Sequence, residues 1–202
     1  MSRALLDVIR ALDFAAGKHR DQRRKGGAAE PYINHLTEVA RLVAEATDGK
    51  DAISVIGALL HDTIEDTKTT REELEREFGS EVAALVVEPT DDKRLPKLER
   101  KRLQVETSHL KSRRAKLIKI ADKISNLRSI VASPPFNWDA RRQREYFEWA
   151  SRVVAGCLGV NATLETRFDD AYREGLVTLK QREKGEGRLS SRLARNECRK
   201  LT

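Results

Sequence analysis

The chain has 202 residues, of which 39% are apolar and 35% are charged. This length suits one domain with a small appendage and can bury a core without disulfides. There is no apolar run near the ~20 residues of a membrane span and no secretory signal at the start, so we expect no membrane association. Cys157 and Cys198 lack disulfide or zinc spacing, which favours a reducing, cytoplasmic setting. The net charge of +7 raises the question of a phosphate-rich partner.

Apolar residues recur at helical spacing along the first third of the chain. A first helix is predicted whose apolar face comprises Leu5, Leu6, Ile9, Leu12, Ala15 and Ala16. A polar loop over 21–30 follows, and Pro31 opens a second amphipathic helix. A third helix begins after Asp51, a residue type that caps helices well. Because apolar residues lie on most of its sides, we expect this helix to be the central and most buried one.

The helical pattern continues towards the C-terminus. Short helices are predicted to end at Gly79 and before Pro89, followed by a basic helix over 97–105 and an apolar-faced helix over 115–131. The stretch 138–170 is interpreted as one long helix or two stacked ones. No strand and no internal repeat is evident, so the predicted fold class is all-α, a multi-helix bundle.

The pattern fades near residue 180, which predicts two parts of the chain. Residues 1–179 form the globular domain, and 180–202 form a basic C-terminal tail that is disordered or weakly helical. The tail holds eight Lys/Arg and three Asp/Glu, a net +5, which leaves +2 for the domain. The overall charge therefore describes mainly the tail.

The segment after the buried third helix carries the strongest chemical signal. It ends in four ionisable residues, His61, Asp62, Glu65 and Asp66. On a continuous helix, His61 and Glu65 would share one face, and Asp62 and Asp66 the next. A polar helix end facing solvent explains such a cluster equally well when the segment is taken alone.

Two further residues favour a metal site. His35 lies on the second helix, although a lone histidine there is more often structural. Asp122 lies beside the apolar face of the helix over 115–131, where a buried carboxylate needs a partner. With His61 and Asp62 these residues form a mixed nitrogen and oxygen set that suits Mn²⁺, with Fe²⁺ or Zn²⁺ as alternatives. The sequence thus predicts a metal site between the central helices.

Ordered motifs give these residues a family context. In chain order they are Arg23-Arg24-Lys25-Gly26, Pro31-Tyr32-Ile33-Asn34-His35, Leu59-Leu60-His61-Asp62-Thr63-Ile64-Glu65-Asp66-Thr67, Phe78-Gly79, Thr90-Asp91-Asp92-Lys93 and Ile120-Ala121-Asp122-Lys123-Ile124-Ser125-Asn126-Leu127. With these motifs the sequence resembles the HD-domain metal-dependent phosphohydrolases, and more specifically the hydrolase domain of the RelA/SpoT alarmone enzymes. With no synthetase region, it is most similar to the stand-alone small alarmone hydrolases, which include the metazoan SpoT-like homologues. The resemblance spans roughly residues 5–175.

The resemblance implies a role for each residue of the cluster. A Mn²⁺ ion would be held by residues matching His35, His61, Asp62 and Asp122. The pair matching Glu65 and Asp66 would position and deprotonate a water molecule. One helical turn past the ligands, such acids can reach the water without binding the ion themselves.

Substrate-binding roles follow from the same resemblance. Arg24 matches a guanidinium that stacks on a purine, and Lys25 matches a phosphate or base contact. Lys97 would contact distal phosphates, Asn126 the ribose or a phosphate, and Tyr146 the sugar or the 5′-phosphates. Without the resemblance, the basic residues would be interpreted as a solvated charge run.

The implied reaction is hydrolysis of the 3′-pyrophosphate of guanosine tetra- or pentaphosphate (ppGpp or pppGpp), giving GDP or GTP and pyrophosphate. An alternative keeps the site and changes the substrate, to the 2′-phosphate of NADPH. A nucleic-acid-binding role finds no supporting motif, so we expect a small-molecule partner and no nucleic acid. The sequence leaves the oligomeric state open.

Overall fold

A computed structural model describes the backbone of residues 3–198 and the side chains of residues 3–184. Over these residues strand pairing is limited to two isolated bridges, Arg23 with Pro31 and Gly26 with Pro135. The predicted all-α class is confirmed. The helices are α1 (Arg3–Lys18), α2 (Ile33–Ala46), α3 (Ala52–Leu60), α4 (Thr63–Asp66), α5 (Arg71–Phe78), α6 (Ser80–Val87), α7 (Lys97–Thr107), α8 (Arg113–Ala132), α9 (Ala140–Ala155) and α10 (Ala162–Cys198), with a 3₁₀ turn at Ser108–Leu110. Among the helices described, none has the length and apolar character needed to cross a bilayer.

Helix α3 lies at the centre of the bundle, as predicted. Its N-cap is Asp51, whose carboxylate accepts hydrogen bonds from the backbone N–H and hydroxyl of Ser54 at 3.2 and 2.7 Å. Every residue from Ser54 to Leu60 is buried, and the helix packs against α1, α2, α6 and α8. Burial on all sides explains the continuous apolar composition.

The predicted apolar face of α1 is partly wrong. Leu5, Leu6 and Ile9 are about half exposed, at 48%, 46% and 50%. The buried residues are Ala15, which the prediction included, and Ala11, which it did not. Small side chains at these positions allow α1 to approach α3 closely, while the leucines of the first turns stay half exposed. Helical spacing predicts which residues share a face, but not how much of that face a neighbour covers.

A turn at His61–Asp62 interrupts the predicted helix over 61–66. Helix α3 ends at Leu60, and α4 begins at Thr63. The hydroxyl of Thr63 donates to the Leu60 carbonyl at 2.6 Å and satisfies one of the acceptors freed at the end of α3. The turn carries the metal-ligand candidates His61 and Asp62, and the acid pair Glu65 and Asp66 follows on α4.

The stretch 138–170, predicted as one long helix or two, contains parts of two helices, because α9 ends at Ala155 and α10 begins at Ala162. Helix α10 passes the predicted domain boundary without a break. Leu179 is fully buried, and contacts with other helices continue through Arg182 and Glu183. The side chains of 185–202 and the backbone of 199–202 lie outside the described residues, so the tail stays a prediction.

Candidate active site

Three elements bring the four predicted metal ligands together. The ligand atoms of His35, His61 and Asp62 lie within 4.8 Å of one another. Asp122, on α8, adds an Oδ1 atom 3.3 Å from the Nε2 of His35 and 3.9 Å from the Nε2 of His61. Two imidazoles and two carboxylates from α2, the α3–α4 turn and α8 therefore converge on one point.

Hydrogen bonding orients the His35 ring towards this point. The Ser125 hydroxyl donates its single proton to Oε2 of Glu38 at 2.6 Å, so it accepts from Nδ1 of His35 at 2.9 Å. The proton of neutral His35 is thus on Nδ1, and the lone pair of Nε2 faces the carboxylates. Burial lowers the pKa of His35 below its ordinary value, which favours the neutral ring. Metal ions bind the neutral imidazole, and its orientation is typically fixed by a hydrogen bond from the other ring nitrogen, here through Ser125 to the carboxylate of Glu38.

His61 has the same arrangement. Its Nδ1 lies 2.8 Å from the Ala58 carbonyl oxygen, which can only accept, so Nδ1 carries a proton. Its Nε2 is buried and lies 3.2 Å from Oδ2 of Asp62 and 3.9 Å from Oδ1 of Asp122, but it makes no hydrogen bond of good geometry. Although burial opposes charge, Asp62 and Asp122 raise the pKa of His61 to about 9. The pocket thus stabilises a positive charge at this nitrogen, and a buried Nε2 facing two carboxylates fits a divalent metal ion.

Each carboxylate ligand candidate has its own support. The Tyr32 hydroxyl donates to Oδ2 of Asp62 at 2.6 Å. Nζ of Lys123 lies 2.9 Å from Oδ2 of Asp122, and the Asn126 amide donates to Oδ1 of Asp122 at 2.6 Å. Although burial opposes ionisation, Lys123 holds the pKa of Asp122 well below its ordinary value. Both carboxylates are therefore ionised and oriented.

Tyr32 and Lys123 are site residues that the sequence analysis missed. Tyr32 precedes His35 by three residues, and this spacing could have placed it on the same face. Lys123 follows Asp122 directly, but nothing in its position predicts burial. In the structure it is 4% exposed, with Nζ 4.5 Å from the ring centroid of Trp149.

Glu65 and Asp66 lie on α4 and line the same pocket as His61, Asp62 and Asp122. Burial, together with the negative charges of Asp62, Asp91 and Asp66, raises the pKa of Glu65 above its ordinary value. Arg100 approaches Glu65 at 3.6 Å. Asp66 is fixed more firmly, because Lys93 donates to it at 2.7 Å and Gln22 at 3.1 Å. Glu65 therefore accepts a proton more readily than an ordinary carboxylate, and hydrogen bonds hold Asp66 in place.

We call the four metal-ligand candidates, His35, His61, Asp62 and Asp122, the metal-ligand cluster. A cavity of about 500 Å³ opens beside it. All five residues with predicted substrate-binding roles line it, and Glu65 and Asp66 form part of its wall. Burial and the nearby charges of Arg142, Lys25 and Arg100 lower the pKa of Lys97, which shows how closely these cations are grouped. The basic residues around the cavity are Arg23, Arg24, Lys25, Lys97, Arg100, Lys101 and Arg142.

Three of the residues with predicted substrate-binding roles, Arg24, Asn126 and Tyr146, have defined contacts around the cavity. The Arg24 guanidinium donates to the Asn126 amide oxygen at 3.0 Å, and Asn126 in turn bonds Asp122, so Arg24 adjoins the metal-ligand cluster. Tyr146 packs between Trp138 and Trp149, with ring centroids 5.6 and 5.2 Å away. Burial raises the pKa of Tyr146 to about 12, so its hydroxyl stays protonated.

A close backbone approach shapes the loop that carries Arg24 and Lys25. Gly26 pairs with Pro135, and a Cβ on Gly26 would lie 2.2 Å from the Ser133 carbonyl oxygen. Only glycine allows this approach. The loop is therefore joined to the segment after α8, whose residues Ser133 and Pro135 also line the cavity.

The architecture defines a class: an all-α domain in which histidines and aspartates that could hold a metal ion meet between the central helices. A model of the HD domain family matches residues 11–148. Since this match covers more than half of the chain, the protein belongs to the HD domain family, and the resemblance drawn from the sequence is confirmed.

Individual relatives give finer detail. The chain is 49% identical over 172 residues to the Homo sapiens guanosine-3′,5′-bis(diphosphate) 3′-pyrophosphohydrolase MESH1, covering 85% of this chain and 96% of that protein. The Drosophila melanogaster MESH1 enzyme is 45% identical, with coverage of 82% and 93%. Among solved structures, a metazoan orthologue of SpoT described as hydrolysing ppGpp superposes with a TM-score of 0.80 at 44% identity, over 83% of this chain and 94% of that one.

Proposed function

We propose that the protein hydrolyses the 3′-pyrophosphate of ppGpp or pppGpp, releasing pyrophosphate and GDP or GTP. The observation that carries this proposal is the junction of the metal-ligand cluster with a cation-lined cavity of about 500 Å³. A substrate with phosphates at both ends of a nucleoside needs both features at once. The near-full-length similarity to enzymes named for this reaction supports the choice of substrate.

The metal-holding residues in this proposal are His35, His61, Asp62 and Asp122. A divalent ion bound there would polarise a phosphoryl oxygen and lower the pKa of water. We propose Mn²⁺ as the ion, because two imidazoles and two carboxylates suit a first-row ion of intermediate softness. The observation in favour of metal binding is the buried Nε2 of His61, which faces the carboxylates of Asp62 and Asp122 without a hydrogen bond of good geometry.

Proton transfer is assigned to the acid pair. Glu65 accepts a proton as water attacks phosphorus, since its raised pKa makes it a stronger base than an ordinary carboxylate. Asp66, held by Lys93 and Gln22, keeps the attacking water in position. As the bond between phosphorus and the ribose 3′-oxygen breaks, that oxygen takes up a proton and pyrophosphate leaves.

Substrate binding is assigned to the cavity residues. Arg24 is placed to stack on the guanine or contact the 3′ side, because its guanidinium also bonds Asn126 beside the metal-ligand cluster. Lys25 and Lys97 lie farther along the cavity with Arg142, where several cations can neutralise distal phosphates. Tyr146 supports the sugar through a protonated hydroxyl and a ring fixed between two tryptophans.

Product analysis tests the proposal. The full chain is freed of metal with a chelator, returned to Mn²⁺, Zn²⁺, Fe²⁺ or Mg²⁺, and incubated with ppGpp, with NADPH in a parallel reaction. We expect GDP and pyrophosphate in equal amounts, fastest with Mn²⁺, and no turnover with chelator. Asp62→Asn is the matched control, since it should lose bound metal and activity together.

Three outcomes contradict parts of the proposal. Consumption of NADPH without consumption of ppGpp would show that the substrate is NADPH. Full activity in chelator would show that the reaction needs no metal ion. Faster turnover with Zn²⁺ or Fe²⁺ than with Mn²⁺ would contradict the choice of Mn²⁺. The cytoplasmic setting and the division into a domain over 1–179 and a basic tail over 180–202 stay predictions.

A further inference from the structure

The C-terminal helix reaches the wall of the substrate cavity through Arg182. Its guanidinium donates to three acceptors: the carbonyls of Ile130 and Val131 at 3.3 and 2.5 Å, and the side-chain oxygen of Gln143 at 2.8 Å. The two carbonyls belong to the last turn of α8, whose acceptors have no partner within the helix. Arg182 therefore binds the end of α8 and the start of α9 at once.

Gln143 links Arg182 to the cavity wall by hydrogen bonds. Its side chain is 3% exposed, and its amide nitrogen donates to the Trp138 carbonyl at 2.8 Å. Since its oxygen accepts from Arg182, both ends of the amide are engaged. The orientation of the Gln143 amide is thus set by Arg182, and the amide in turn holds the backbone of Trp138.

Trp138 forms part of the cavity wall and orders other groups there. Its ring packs on Tyr146, and the Arg142 guanidinium lies 5.0 Å from its ring centroid. Ile130, whose carbonyl Arg182 also binds, lines the same cavity. The connection between α8 and α9 is therefore one wall of the cavity, fastened from behind by a residue of α10.

We infer that Arg182 is a positioning residue for substrate binding, which acts through Gln143 to hold the Trp138 wall in its binding arrangement. The inference rests on the proposed function for its substrate. Within the described part of the chain, the hydrogen bonds of Arg182 go to Ile130, Val131 and Gln143, and none goes to a metal-ligand candidate or to the acid pair. Its loss should weaken substrate binding and leave the chemical step intact, because a preordered wall lowers the cost of binding.

Two variants in the full chain test this inference, with one control. Arg182→Met keeps length and removes all donors. Gln143→Glu keeps an acceptor for Arg182 but loses the N–H that holds Trp138. The matched control is Glu183→Gln, which weakens the ion pair between Arg144 and Glu183 that joins the same two helices one residue away.

We expect KM for ppGpp to rise about three- to tenfold in Arg182→Met and Gln143→Glu, the range for loss of the one hydrogen bond from Gln143 to Trp138 that both variants disturb. The kcat and the Mn²⁺ affinity should match the unchanged protein, and Glu183→Gln should match it in every measurement. Acrylamide quenching of tryptophan fluorescence gives a readout without turnover. Trp138 should become more accessible in the two test variants, against the constant background of Trp149, which is 7% exposed.

An unchanged KM and unchanged quenching in both test variants would overturn the inference, as would a fall in kcat at constant KM. If Arg182→Met does not fold, Gln143→Glu decides, since it retains the contact with α10. If the unchanged protein does not consume ppGpp, the proposed function fails. Quenching then still shows whether Arg182 orders Trp138.

Discussion

Tyr32→Phe isolates a single hydrogen bond at the metal-ligand cluster. The substitution removes the hydroxyl that donates to Oδ2 of Asp62 at 2.6 Å. A phenylalanine ring can keep the stacking on His19 and the edge contact with His35, whose centroids lie 5.2 and 5.4 Å away. Burial and the Asp62 carboxylate raise the pKa of Tyr32, so the hydroxyl is a donor throughout the working pH range.

The expected loss of Mn²⁺ affinity follows from the kind of hydrogen bond that is removed. A hydrogen bond to a charged acceptor contributes about 1.5–3 kcal/mol. Loss of an outer partner of a metal ligand typically reduces metal affinity by about 10–100-fold, which is about 1.4–2.7 kcal/mol and falls in the same range. Asp62 would keep its charge and its place in the chain but lose the contact that orients it.

Calorimetric titration of the metal-free protein with Mn²⁺ measures this effect. Tyr172→Phe is the control, because Tyr172 packs on Phe147 and Phe168, which form no part of the metal-ligand cluster. We expect weaker binding only in Tyr32→Phe, with activity restored by excess Mn²⁺. Equal affinity in Tyr32→Phe and the unchanged protein, at equal thermal stability, would refute the reasoning.

Four further substitutions test catalysis and stability. Glu65→Gln should lower kcat by about 10²–10⁴ while calorimetry shows Mn²⁺ still bound, and normal turnover would remove Glu65 as the base. Gly175→Ala should cost about 1–3 kcal/mol in denaturant unfolding, because the new Cβ would lie 2.1 Å from the Phe147 ring. Gly17→Ala on α1, with nothing within 4 Å of the new Cβ, should instead stabilise by about 0.5–1 kcal/mol, and equal effects would contradict the packing argument. Asp51→Ala should cost about 0.5–2 kcal/mol as a lost N-cap. Although burial opposes ionisation, hydrogen bonds hold the pKa of Asp51 below its ordinary value. Its stabilisation should therefore be complete above the unfolded pKa of about 3.9 and be lost as pH falls through the folded pKa, so that the variant and the unchanged protein converge in acid.

The metal-ligand candidates could be chosen from the sequence because their surroundings required an explanation. His61 and Asp62 follow an apolar helix, although a solvent-facing helix end explained them equally well, and Asp122 lies beside an apolar face, where a carboxylate needs a partner. Buried polar groups need partners, and the ordered motifs indicated that they share one. The structure brings all four candidates together, although the turn after Leu60 differs from the predicted helix.

The supporting residues were not predictable in the same way. Arg100 and Lys101 lie in the basic helix predicted over 97–105, where nothing in the sequence distinguishes them from the surface cations around them. In the structure both line the cavity, and Lys101 lies 4.4 Å from the Trp149 ring centroid. Arg182 was assigned to the tail, yet it contacts three backbone or side-chain acceptors of other helices. Such roles depend on contacts distant in sequence, which periodicity and composition do not report.

The distribution of charge within the site favours a small polyphosphate over a nucleic acid. Carboxylates collect at the metal-ligand cluster, where a cation is stabilised, while Lys25, Lys97 and Arg142 collect in the adjoining cavity. A nucleic-acid surface would instead present its cations along an open face, spaced to follow a phosphate backbone. Here the cations surround a concave volume of about 500 Å³, within the range of pockets for single small ligands. A ligand that satisfies both regions must present one phosphate group to the metal-ligand cluster and others several bonds away, as a nucleotide phosphorylated on both sides of its ribose does.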